Sequence, residues 1–535
     1  MTMTAKMKTT FRRSAVSVLL LTLLLALAGP AQARPGGGHS YSGSHSSHSS
    51  PSHSSPSHSS PSHSSSGSGY HSSPPVYHPS VSPVVPITPS RPSRPSSPGS
   101  TGLGCGCMLI MLLIFIGLIV LIIWMIKRSK VAAPPPSAPP PQPLDLDVIR
   151  TLDPDFSAVL FLDFAYALYA RAHQARANSQ ALDALSPYLS PAVRAALAAR
   201  EPAGVPVAEV VVGALRVVGI HLPSPDAQPA QVRVRLEIES NLTLGDAGGE
   251  RTQYAAESWT LVRDATVRTK PPQDVQSFHC PNCGAPFASS GSDRCEYCGE
   301  VVGNGRFDWT VVAADLDGVE DAPPALTGTV EEEGTNLPTI FHPQAQARRA
   351  ELLQADPATT DQALAARLQL IYTELNTAWT NLDLRPIRPY VSDSLFDYLQ
   401  YWIDAYNRQG LRNVLQGMRL TGLEEVKVVR DRWFDAVTFR IRATGRDTTV
   451  RQSTGELVGG RPDRDRQYSE YWTLIRGAGV KGAPRADKSC PNCGAALEAA
   501  DVNQAGQCAH CGARITRGDF DWVLSRIEQD ESYTG

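Results

Sequence analysis

A four-part phrase occurs twice in the chain, and its most constraining part is a pair of cysteine knuckles. Cys280-Pro-Asn-Cys283 is followed after eleven residues by Cys295-Glu-Tyr-Cys298, and Cys490-Pro-Asn-Cys493 after fourteen by Cys508-Ala-His-Cys511. Each short Cys-x-x-Cys turn presents two sulfurs to one side, so two such turns surround one tetrahedral ion. The spacing therefore predicts two structural zinc ribbons, 280–298 and 490–511, each holding one Zn2+. Four thiolates close the coordination sphere, which makes the ion a staple and leaves no open position for catalysis. His279 and His510 sit beside ligands, but four cysteines per site leave them no vacancy.

The match extends past the ligands. Ser258-Trp259-Thr260-Leu261 precedes the first ribbon and Tyr471-Trp472-Thr473-Leu474 the second, while Trp309 and Trp522 each follow the last cysteine by eleven residues inside Phe-Asp-Trp. Similarity over that span predicts duplication of a whole unit.

Before the first unit the chain has a different composition. Residues 1–33 read as a secretory signal, with Lys6, Lys8, Arg12 and Arg13 ahead of an apolar run and a small-residue site at Ala31-Gln-Ala33. An uncleaved membrane anchor is the alternative. Residues 34–104 are rich in Ser, His and Pro, and eight of the thirteen histidines lie between His39 and His78. So little apolar surface cannot offset ordering entropy, so this segment is expected to be disordered, as a spacer or as a metal-scavenging tail.

Cys105 to Ile126 carries no charge over 22 residues. At about 1.5 Å per residue it spans roughly 33 Å, enough for a hydrocarbon core of about 30 Å, so a single transmembrane helix is expected at 105–126. Lys127, Arg128 and Lys130 follow immediately, which places the carboxyl-terminal part in the cytoplasm by the positive-inside bias. A reducing compartment also keeps thiolates free for metal. Residues 127–143 form a basic and proline-rich linker that holds the folded part away from the bilayer.

The two copies are expected at 144–315 and 344–529, separated by a linker at 316–343 rich in Pro, Gly and acidic residues. Each opens with helical periodicity, at Leu160, Phe161, Phe164 and Leu168 and again at Leu364, Leu368, Ile371 and Leu375. Second helices are expected around Leu182 to Ala199 and Ile387 to Asn407. Strands follow over Val207 to Leu222 and Leu420 to Val429. In Val232-Arg-Val234-Arg-Leu236-Glu-Ile238 and Val437-Thr-Phe439-Arg-Ile441, every second residue is apolar, as in a sheet with one face on a core. Helices followed by an antiparallel sheet give an α+β fold, with each ribbon at the tip of a long hairpin.

The stretch Arg388-Pro-Tyr-Val-Ser-Asp-Ser-Leu-Phe-Asp-Tyr-Leu, continuing to Gly410-Leu-Arg-Asn413, together with Tyr471-Trp-Thr-Leu-Ile-Arg476 and Phe520-Asp-Trp522, resembles the Tim44-like domain. Pro187-Tyr-Leu-Ser-Pro191 carries the likeness more faintly into the first copy. That family, named after a subunit of the mitochondrial protein-import motor, implies a cone of helices around a curved antiparallel sheet, similar to nuclear transport factor two. It also implies a membrane-proximal domain whose apolar concavity binds a protein segment, peptide or lipid, and it offers no catalytic residues. Two copies, inserted ribbons and a membrane span set this chain apart, so a role in an import motor does not transfer.

The expected function is thus a membrane-anchored, non-catalytic binding or scaffold protein. The rival is a pocket enzyme using a buried carboxylate: Glu257 or Glu470, each two residues before a matched tryptophan, or Asp308 or Asp521, each directly before the later one. The plainer expectation is that Glu257 and Glu470 are edge carboxylates paired with arginine, Arg263 and Arg476 being near enough in sequence to be the partners. A ribbon that reads nucleic acid is a further alternative, but the net charge is −3 and the residues between the knuckles contain one arginine. No nucleic acid is expected as a partner. The four matched tryptophans are expected in the core of the sheet.

Overall fold

The computed structural model describes residues 144–224, 226–246, 249–272, 305–306, 308–321, 326 and 335–535. The expected signal, the histidine-rich segment, the expected membrane span, the proline-rich linker and the expected first ribbon lie outside these residues. Among the described residues no helix is long and apolar enough to cross a membrane.

The amino-terminal half begins with a 3-10 turn, Leu146–Thr151, and α1, Ala158–Ala175. Ser157 starts α1 by accepting the Leu160 N–H on its side chain, a cap worth about 1 kcal/mol. Leu160, Phe161, Phe164, Leu168 and Tyr169 then bury one helix face. Two short helices follow, α2, Ser179–Asp183, and α3, Pro191–Ala198. The sheet is an antiparallel meander in the order β1, Val207–His221; β2, Gln231–Asp246; β3, Gly249–Asp264; β4, Thr310–Asp321. Val232, Val234, Leu236 and Ile238 of β2 face the helices and are buried.

The carboxyl-terminal half has α4, Ala345–Ala355; α5, Asp361–Thr380; a 3-10 turn, Arg385–Tyr390; and α6, Asp393–Arg408. Its five-stranded sheet comprises β5, Leu411–Arg430; β6, Phe434–Arg451; β7, Leu457–Gly460; β8, Arg466–Gly477; and β9, Val523–Gln529. The order is β5-β6-β8-β9, with β7 paired to β6. Both halves are therefore helices covering an antiparallel sheet. Their cores are rich in aromatics, including Trp259 and Trp309 in one and Trp379, Trp402, Trp472 and Trp522 in the other.

Two details recur in both halves. Leu189 forms a parallel bridge with Val311, and Ser190 donates its N–H to Val311 O while capping α3; Val391 bridges Leu524, and Ser392 donates to Leu524 O while capping α6. Arg263 reaches Asp153 at 2.8 Å with its guanidinium 4.7 Å from the Trp309 ring, and Arg476 reaches Asp356 at 2.9 Å with its guanidinium 4.6 Å from Trp522.

Several boundaries differ from expectation. The second helix of the first half is broken in two, because Pro191 cannot sit in a helix interior and occupies the first turn of α3 instead. In the second half, Pro386 and Pro389 confine the chain to a 3-10 turn before Ser392 caps α6. Strand β5 starts at Leu411 rather than Leu420; Gly417, at φ +63°, lets the strand shift register between Gln416 and Arg419. Strand β4 continues through Leu316 to Asp321, so the expected linker begins as strand. Helix α4 also falls outside the periodic pattern, burying little beyond Leu352.

The halves pack against each other. Leu160 of α1 forms a cluster with Phe434 and Ala436 of β6, Ile475 of β8 and Val523 of β9. Arg150 donates to Arg430 O at 2.7 Å, Trp433 donates its indole N–H to Asp155 O at 3.1 Å, and Arg432 meets the Asp155 carboxylate at 2.7 Å. An apolar patch ringed by polar contacts of this kind resembles an interface core with its rim.

Candidate metal centre and seam cavity

The second knuckle pair lies between β8 and β9, which are themselves paired, so the cysteines occupy the end of a hairpin as expected. Cys490 N–H donates to Ala495 O at 2.7 Å and Gly494 N–H to Cys490 O at 2.9 Å; Cys508 N–H donates to Ala513 O at 2.9 Å and Gly512 N–H to Cys508 O at 2.8 Å. Gly494 and Gly512 adopt φ of +75° and +71°, a conformation disfavoured for residues with a side chain. Two like turns thus aim four sulfurs at one point.

The four thiols of Cys490, Cys493, Cys508 and Cys511 all lie within 4.8 Å of one another, close enough to hold one metal ion. Cys490 and Cys511 have their sulfurs 3.9 Å apart, near the edge of about 3.8 Å for a tetrahedron with metal–sulfur bonds of about 2.3 Å. None of the four is in a disulfide. The donor set and spacing therefore fit a soft, tetrahedral ion, for which these side chains would be the ligands. Burial pushes the Cys490 thiol up to about 12, whereas the Ala513 N–H pulls Cys511 down to about 6. Asn492 supports the outer side by donating to Cys511 Sγ at 3.4 Å. His510 turns to Asp501 at 3.4 Å rather than toward the sulfurs. Cys280, Cys283, Cys295 and Cys298, and His279 with them, lie outside the described residues.

A small core of Leu497, Val502 and Ile515 backs the knuckles. The ribbon is also fastened to the helices: Arg388 donates to Gln504 O at 2.8 Å, and Asp393 in the first turn of α6 accepts from Thr516 at 2.9 Å and pairs with Arg514.

Of the carboxylates considered for catalysis, Glu257 and Glu470 are each 1% exposed. Trp259 donates to Glu257 at 2.7 Å and Trp472 to Glu470 at 2.9 Å. The other oxygen of Glu257 meets Arg200 Nη1 at 2.6 Å and His173 Nε2 at 3.1 Å; that of Glu470 accepts from Gln529 at 2.9 Å. Burial alone raises the Glu257 carboxyl, but His173 and Arg200 outweigh it and bring the group down to about 2. The suggested partners Arg263 and Arg476 do not reach them. Six residues along a strand at about 3.3 Å each put some 20 Å between the positions, and those arginines pair with Asp153 and Asp356. Nor are the carboxylates at an edge, since β3 and β8 are inner strands. Asp308 meets Lys270 at 3.4 Å and Asp521 meets Arg367 at 3.5 Å. The four tryptophans are core residues, 0–4% exposed.

Sequence reasoning missed a cavity of about 200 Å³ at the seam between the halves. It is bounded by α1, β1, α6 and β9, with Val210, Val212, Leu395 and Ile527 as apolar wall. Asp163, Tyr166, Asp397 and Arg526 also line it. Burial pushes the Asp163 carboxyl up to about 6 against the pull of Arg526. The only signal in the sequence was a charged residue on an otherwise apolar helix face, which is too common to single out.

Residues 345–484 match the family model of the Tim44-like domain. A solved structure described as "Ntf2 like protein involved in plasmid conjugation" is matched at 9% identity over 70% of this chain and 97% of that chain, with a TM-score of 0.16, too low to support any statement about fold. A search of curated proteins found no match.

Proposed function

We propose that the chain is a membrane-anchored, non-catalytic scaffold whose two halves are copies of one Tim44-like unit and hold a protein, peptide or lipid ligand at their seam. The observation that carries this reading is the contrast between the cone interiors and the seam. Inside each half, aromatic side chains pack the core, with a cavity of only about 20 Å³ among Phe161, Phe164 and Trp309, and the matched carboxylates are bonded to their tryptophans. At the seam a cavity remains, bounded by elements of both halves. The family match over 345–484 supports a binding role for the second half. The paired bridges at Leu189 and Val391, and the paired Asp–Arg–Trp groupings, support duplication. Tethering two units on one anchor gives a high local concentration of the second surface once the first is engaged.

In this reading both ribbons carry Zn2+, and 105–126 anchors the halves on the cytoplasmic side. A carboxylate held near 2 stays ionised and paired, which is poor preparation for a general base at neutral pH. Photo-cross-linking in intact membranes from a benzoyl-phenylalanine at Ala170, which lines the cavity, tests the proposal. Capture of one protein or lipid supports it. Enzymatic turnover abolished by Glu470→Gln would instead establish catalysis.

A further inference from the structure

Three charged side chains line the seam cavity: Asp163 on α1, Asp397 on α6 and Arg526 on β9. Among the described residues none of the three makes a hydrogen bond or a close ion pair. Arg526 lies with its guanidinium 5.3 Å from the Tyr166 ring and attracts Asp163 from beyond ion-pair distance. Asp397 feels the repulsion of Asp393 and a weaker pull from Arg388, which is itself paired with Asp393. Two carboxylates against one guanidinium leave the lining with one negative charge in excess.

Asp163 and Arg526 are half-buried and Asp397 is exposed, and partial withdrawal from water strengthens the pull of a carboxylate on a cation. A ligand that brings a cation here gains the interaction that the fold leaves unmade. The rest of the wall, Val210, Val212, Leu395 and Ile527, suits a hydrocarbon stem. At about 200 Å³ the space is smaller than the roughly 300–1,000 Å³ of drug-sized sites, so the occupant is a short chain or one side chain.

We propose that the seam cavity binds an alkylammonium group, its apolar stem against the valines of β1 and its amine set against Asp163 and Asp397. This rests on the reading of the seam as the ligand site and names the chemistry that the site selects. The same group can arrive as the lysine side chain of a partner polypeptide or as a free amine.

Calorimetric titration of the full chain in detergent with n-hexylamine, hexanoate and hexanol tests it. Hexylamine is expected to bind at least tenfold tighter than hexanol, and hexanoate more weakly than either. Asp163→Asn should erase the preference for the amine over the alcohol. Ala170→Phe, which fills the cavity and keeps its charges, should abolish binding of both. Equal binding of hexylamine and hexanol to the native chain, or an undiminished preference in Asp163→Asn, overturns the proposal. A capped Leu-Lys-Leu peptide separates the carriers: tighter binding than hexylamine assigns a polypeptide side chain, weaker binding a free amine. Capture of a partner from Ala170 without amine preference defeats this inference alone. Amine preference with no captured partner defeats the scaffold reading and leaves this one standing.

Discussion

Trp472 donates its indole N–H to Glu470, two residues back on the same face of β8, and both side chains are buried. The bond ties a large aromatic to a buried carboxylate whose other oxygen accepts from Gln529. Trp259 and Glu257 repeat the arrangement on β3, where the other carboxylate oxygen of Glu257 meets His173 and Arg200; that of Glu470 accepts from Gln529. The two halves therefore share a framework, and that difference in neighbours surrounds the same Glu–Trp bond.

That difference gives the first half an acid-sensitive contact. Glu257 is held down to about 2 from an ordinary 4.5, so its contribution is fully present above about pH 4.5 and disappears as pH falls toward 2. Between pH 6 and pH 3 the loss should be about 2 kcal/mol. Urea unfolding at the two pH values is expected to show an acid loss larger by this amount in the native chain than in Glu257→Gln, because Asp145, Asp356 and Asp393 are also held below their ordinary values in both chains; equal losses would contradict the assignment.

Arg476 is 1% exposed, pairs with Asp356 and lies against Trp522. Replacing it by Met leaves Asp356 buried without its cation, at a cost of about 3–5 kcal/mol. The double variant Arg476→Met, Asp356→Asn should recover a large part of that, since no unmatched charge remains. Chemical denaturation of both variants measures the difference; an unchanged midpoint in the single variant contradicts the pairing.

Ser190 and Ser392 close corresponding corners by capping α3 and α6. Each Ser→Ala change should cost about 1 kcal/mol, read as a lowered unfolding midpoint. A loss at one corner only would contradict the structural correspondence between the halves.

Removing one ligand from the described knuckles should release one ion. Cys508→Ser is expected to lower the metal content by one per chain in native mass spectrometry and to expose 485–522 to protease. Unchanged metal content would show that these sulfurs hold none.

Much of the architecture was legible because its signals are local. The Cys-x-x-Cys turns could be recognised because paired sulfurs recur at a short spacing. The face of α1 and the alternation in β2 followed from periods of 3.6 and 2. The breaks around Pro191 and Pro389 were missed because apolar residues continue through them, although proline chemistry announces both. Arg200 as the partner of Glu257 had no sequence signature, since it comes from the turn after α3 and meets β3 only in the folded state. The seam cavity was hidden for the same reason, as it needs α1 and β1 from one half and α6 and β9 from the other.

The measurement that bears most directly on the central claim is site-specific photo-cross-linking in native membranes, comparing a probe at Ala170 in the seam with one at exposed Thr373 on α5. The account predicts that one defined species is captured from Ala170 and not from Thr373, and that Asp163→Asn weakens the capture. Equal labelling from both positions, or none from the seam, would contradict it.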